Sequence, residues 1–97
     1  MVGERPRALV LNAADNVAVA VSRLRAGEMI ELAGSAVTLA RDIPSGHKFA
    51  LRVIAAGGDV VKYGEVIGKA TARIPPGEHV HVQNVVSARL PGPAEKR

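Results

Sequence analysis

The chain has 97 residues, 47% of them apolar, with one Phe, one Tyr, no Trp, no Cys and a net charge of +4. That is one domain's worth of sequence, whose core has to be built from Val, Ile, Leu and Ala. The composition excludes disulfides, thiolate nucleophiles and cysteine metal sites; no apolar run reaches the length of a membrane helix, and dispersed cations with so few aromatics argue against a nucleic-acid surface. The first residues lack an apolar signal core, so a soluble cytoplasmic protein is the default expectation.

Residues 1–7 are polar and contain Pro6, which predicts a loose lead-in to a domain spanning 8–90. Ala8 to Leu11 is a short apolar run suited to a first strand. Val17, Ala20, Val21 and Leu24 then follow the spacing of one helical face, with Asp15 placed to cap and Gly27 to terminate. This predicts one short helix near residues 16–25, although Val17, Val19 and Val21 also alternate as a strand would. From Glu28 onward the pattern is β: Met29–Leu32, Ala36–Leu39, Lys48–Ile54, Val60-Val61, Val66-Ile67 and His79–Val82 are apolar or alternating runs, separated by Gly- and Pro-containing turns. Residues 91–97, rich in Pro and charge, read as a tail. No internal repeat is evident. The expected fold is mostly β, a compact irregular barrel or clip of short strands.

Three places gather reactive side chains. Asp15-Asn16 is one, with helix capping as its structural explanation. Ser45-Gly46-His47-Lys48 sets an imidazole beside an ammonium on a loop. In Glu78–Asn84, a strand would put His79, His81 and Gln83 on one face, the imidazoles about 7 Å apart, where they suit metal binding or acid and base roles. Tyr63, in Lys62-Tyr63-Gly64, is the single tyrosine. No phosphate-binding glycine loop, metalloprotease helix or serine elbow is present, so a self-sufficient enzyme is not expected.

In order along the chain, Asp15–Ala20, Ile43–Leu51, Val61–Gly68 and His79–Asn84 resemble the N-terminal domain of altronate and galactarate dehydratases. That domain belongs to the SAF group, whose β-clip fold is shared with sialic acid synthase, type III antifreeze protein and a flagellar chaperone. The resemblance implies a small subunit of a sugar-acid dehydratase, or of a related lyase such as sulfolactate sulfo-lyase, acting on an anionic hydroxy acid beside a large catalytic subunit. By itself the chain is expected to be inactive, and neither nucleic acid nor membrane is an expected partner. The resemblance further implies catalytic roles for His47, His81 and Tyr63. It implies substrate binding by Asp15, Asn16, Lys48, Lys62 and Asn84, and a divalent metal, Fe²⁺ or Mn²⁺, with His47 and His81 as ligands. The family often has His where Gln83 stands, and Gln cannot relay a proton. The alternative reading is a non-catalytic β-clip module that binds carbohydrate or protein.

Overall fold

A computed structural model describes residues 6–32 and 34–87; the predicted tail at 91–97 and most of the lead-in lie outside them. Among the described residues, nine short strands form three small antiparallel sheets. The central sheet has the order β1 (Ala8–Leu9), β2 (Val17–Ala20), β5 (Lys48–Ala50), β8 (His79–Val80). A hairpin of β3 (Met29–Leu32) and β4 (Ser35–Thr38) projects from one side. The other side carries β6 (Asp59–Lys62), β7 (Glu65–Ala70) and β9 (Val85–Ser87).

The expected short helix is absent from the described residues, and a strand takes its place. Val17–Ala20 lies between β1 and β5, and three of its four side chains are buried. The helical spacing was a coincidence of two elements: after Ala20 the chain bends, so Leu24 belongs to the next arm, not to a second turn of the same helix. Asp15 caps no helix. Its carboxylate accepts backbone N–H groups of Leu11 and Asn12 at 3.2 Å each and of Gly64 at 2.8 Å, tying the first loop to the β6–β7 hairpin. Burial would raise its pKa, but those N–H groups, with that of Tyr63, outweigh burial and hold it below the usual carboxylate value.

An internal repeat, invisible to inspection of the sequence, organises the rest. Leu24, Ile43, Ile54 and Ile74 each precede by three residues a glycine at positive φ (Gly27, Gly46, Gly57, Gly77), and each is fully or almost fully buried. In each copy the residue after the glycine donates to the carbonyl three residues back: Glu28 to Arg25, His47 to Pro44, Gly58 to Ala55, Glu78 to Pro75. This is the bonding of a type II turn, whose third position favours glycine. Pairs of copies then bond reciprocally. Leu24 and Ile43 exchange both N–H···O bonds, as do Ile54 and Ile74. Gly27 donates to the Leu39 carbonyl and Gly46 to that of Ala20; Gly57 donates to Ala70 and Gly77 to Ala50. The molecule is therefore two similar arm–hairpin–arm halves, each closed by its own pseudo-twofold crossing, which together form a β-clip.

Each half has its own core. Leu24, Ile30, Leu39, Ile43 and Phe49 fill the first, and Ile54, Val60, Ala70, Ile74 and Val80 the second. Between them runs the β2–β5 pair, both faces of which are buried. Ala18 and Phe49 face the first core, whereas Val17 and Ala50 face the second. Asn16 fastens the halves together: its backbone bonds to Val61 and Leu51, and its side chain to Val61 N–H and the Asp59 carbonyl, both at 2.8 Å.

Candidate functional site: an imidazole cluster

The second arm of the first half meets the second arm of the second half along β5 and β8. There Lys48 pairs with Val80 and Phe49 with His79, so one step further along the antiparallel ladder places His47 opposite His81. His47 directly follows the turn glycine of its copy, while His79 and His81 leave the matching turn of the fourth copy on one face. The outcome is a stack of three rings. Centroids lie 4.4 Å apart for His47–His81, 5.1 Å for His47–His79 and 5.4 Å for His79–His81, with planes within 24° of parallel. One potential ligand nitrogen from each ring falls within 4.8 Å of the others. These are all the histidines in the chain.

A hydrogen bond of 2.9 Å joins His47 Nδ1 to His79 Nε2. Gln83 Nε2 lies 3.3 Å from both His79 Nδ1 and the His79 carbonyl. A carbonyl can only accept, so the amide nitrogen is the donor to both; Nδ1 of His79 is then unprotonated, and its proton sits on Nε2 facing His47. Asn84 shapes the turn beneath. Its side chain accepts from His81 N–H at 2.9 Å and donates to the His79 carbonyl at 2.9 Å. Burial, then the neighbouring His47 and His81, lowers the His79 pKa, with Glu78 opposing and Lys48 adding; burial, His47 and Lys48 lower that of His81. Both imidazoles are thus biased to the uncharged form at neutral pH, the form that acts as base or ligand.

Beside the stack, Lys48, His81, Val82, Ile67, Val85 and Ser87 line a cleft of about 230 Å³, and Val82 is 81% exposed at its rim. Burial and the Lys62 charge lower the Lys48 pKa. Lys62 also reaches over the Tyr63 ring, 5.1 Å from its centroid. Tyr63 and Gly64 are the two central residues of the β6–β7 turn, both at positive φ, as a type I′ turn requires. Of the residues singled out in the sequence, His47, His81 and Lys48 come together, with Lys62 close enough to act on Lys48. Asn84 supports the turn beneath them. Asp15 and Asn16 are engaged with backbone groups, and Asp15 lines a separate cleft with Val10, Asn12 and Arg52. The shared face of His79, His81 and Gln83 suits the two imidazoles to metal binding or acid–base roles, but of the histidines only His47 and His81 receive the catalytic and metal-binding roles implied by the resemblance. The structure adds His79 to them, with His47 the ring nearest to both others.

These features define a β-clip domain that carries a solvent-accessible imidazole cluster beside a cationic cleft. Residues 6–88 match the altronate/galactarate dehydratase SAF domain, and the chain belongs to that family. It is 49% identical over 74 residues to altronate dehydratase of Escherichia coli, which covers 76% of this chain and 15% of that protein. To the galactarate dehydratase (L-threo-forming) of the same organism it is 40% identical over 79 residues, 14% of that protein's length. A match of 45% over 53 residues to the (2R)-sulfolactate sulfo-lyase subunit alpha of Paracoccus pantotrophus covers 55% of this chain and 79% of that subunit. The chain thus spans about one seventh of the dehydratases but most of a lyase alpha subunit.

Proposed function

We propose that the chain is the small component of a lyase acting on a hydroxylated carboxylic acid, and that it lends its histidine face to the active site of a larger catalytic chain. The observation that carries this reading is the concentration of all three histidines, with Lys48, on one accessible face. The kinship with a protein named as a lyase subunit supports it from a second side.

The chemistry asked of such a site is demanding. Removing a proton beside a carboxylate leaves a carbanion that a nearby cation has to stabilise, while a base takes the proton and an acid assists departure of water or sulfite. An uncharged imidazole of the cluster serves as base, and its protonated neighbour as acid. Lys48 and Lys62 attract the substrate carboxylate, Tyr63 beside Lys62 offers a hydroxyl to orient the substrate, and Asn84 holds the turn that presents His79 and His81. A soluble complex in the cytoplasm, with the domain at 8–90, fits this role.

The test is reconstitution. The 97-residue chain by itself should not turn over altronate, galactarate or sulfolactate, with or without Fe²⁺ or Mn²⁺, and addition of the large chain should restore turnover. In that complex His47→Ala and His81→Ala should each lower turnover by at least about 100-fold, the low end for a lost acid–base group. Turnover by the small chain alone, or full activity in both variants, would contradict the proposal.

A further inference from the structure

The geometry points to a divalent metal site of borderline-soft type held by His47, His79 and His81 within this chain, independent of any partner. The fit rests on the donors. Metal–imidazole bonds of about 2.1 Å put two ligand nitrogens on one ion roughly 3–3.4 Å apart. His47 Nδ1 and His79 Nε2 stand at 2.9 Å, and the third ring offers a nitrogen inside the same 4.8 Å limit. The ring planes lie within 24° of parallel, so rotation about the side-chain bonds has to turn the three nitrogens onto one ion to make this hydrogen-bonded trio a three-point claw. A metal then replaces the proton now shared between His47 and His79.

The donor set also selects the ion. Three uncharged imidazoles without a carboxylate or thiolate suit Zn²⁺, Co²⁺, Ni²⁺ or Fe²⁺ and give little to Mg²⁺ or Ca²⁺, which take oxygen ligands. Three protein ligands leave at least one coordination position open, the pattern of a reactive site and not of a closed structural one. His79 is the member that makes it a site, since without it two rings face each other with nothing to complete a face. Gln83 adds an orienting contact. Rotating its carboxamide by half a turn presents Oε1 to His79 Nδ1, which would carry the proton once Nε2 binds metal, the partner a metal-bound histidine ordinarily needs. The Lys48 ammonium beside the cluster opposes a bare cation, but it also gives an anion two positive groups to bridge: the open metal position and Lys48.

The experiment uses the tag-free 97-residue chain, with Zn²⁺ as probe and Mg²⁺ as control. Calorimetric titration should show one Zn²⁺ per chain and no saturable Mg²⁺ binding. Because the chain has no other histidine, the ring-proton NMR signals of all three should shift together on Zn²⁺ addition, in the unaltered protein and without any variant that could unfold it. His79→Asn should weaken Zn²⁺ by at least about 100-fold while circular dichroism stays unchanged. Sub-stoichiometric binding, movement of only one or two histidine spectra, or undiminished affinity in His79→Asn would overturn the site. None of these readouts involves turnover, so the metal site and the lyase role stand or fall separately.

Discussion

The two halves of the clip share a backbone and differ in what hangs on it. Both cross through a pair of buried aliphatic residues, Leu24 with Ile43 and Ile54 with Ile74, and both turn through a glycine three residues later. The inward positions are therefore alike, being fixed by the crossing. The position just after each turn glycine is not so constrained, and there the copies carry Glu28, His47, Gly58 and Glu78. The histidines collect where two arms run side by side along β5 and β8: His47 holds such a free position, and His79 and His81 follow Glu78, which holds another. The first half is also braced differently. Glu28 accepts the Arg25 N–H, and Asp42 accepts the Ala26 N–H, both at 2.8 Å, while the second half has Gly58 and Arg73 at the matching places.

The sharpest way to break this comparison is in the cores. Phe49→Ala should cost about 3–5 kcal/mol, because a fully buried aromatic ring anchors the first core, whereas Ile54→Val in the second should cost about 0.5–1.5 kcal/mol. Urea unfolding of both variants measures the gap. The turn glycines should come next. Gly46→Ala meets only the left-handed backbone, at about 1–2 kcal/mol, since nothing lies within 4 Å of an added Cβ. Gly77→Ala has the same φ but would push a Cβ to 2.0 Å from the Thr38 carbonyl oxygen, so it should cost at least about 3 kcal/mol or fail to fold. Equal costs at the two glycines would show that the halves are packed alike after all.

The smaller effects lie in acid. Asp15→Ala strands backbone donors in a buried loop and should cost roughly 2 kcal/mol at neutral pH. Asp15 has a folded pKa below its unfolded value near 3.8, so its contribution is complete above that pH and fades as pH falls through the lower folded value. Glu28 is shifted the same way, first by the Arg25 N–H and then by Arg7, and Asp42 first by the Ala26 N–H and then by Arg23. As the pH falls below about 4, protection of the amides against exchange should therefore drop more at Arg25, Ala26 and Ile43 than at Ala55, Ala56 and Ile74. Uniform loosening would remove the bracing carboxylates from the account.

The short strands and their glycine turns were legible in the sequence because each copy joins a strong turn signal to an apolar anchor. The repeat was not, because its anchors are unequally spaced and the side chains between them do not match. Val17–Ala20 misled for a different reason. A strand buried on both faces loses its alternation, and Val17, Ala20 and Val21 then fall into helical spacing with Leu24 by accident. For the site, one strand face predicted that His79, His81 and Gln83 belong together. That His47 joins them depends on β5 pairing with β8, a contact between distant segments that no local pattern encodes.

The wall between the two cores has one more consequence. Phe49 and Ala50 are neighbours on one strand, yet one fills the first core and the other must leave room in the second; on β2 the sizes are reversed, the small Ala18 facing the first core and the larger Val17 the second. A slip of β5 by a single residue would drive a phenyl ring into space shaped for a methyl group and leave a ring-sized void behind. Pairing here is thus locked from both sides by size, not by polarity. The same lock sets the alignment of His47 with His81, so the fidelity of the histidine face is guarded by two residues whose side chains are buried in the cores.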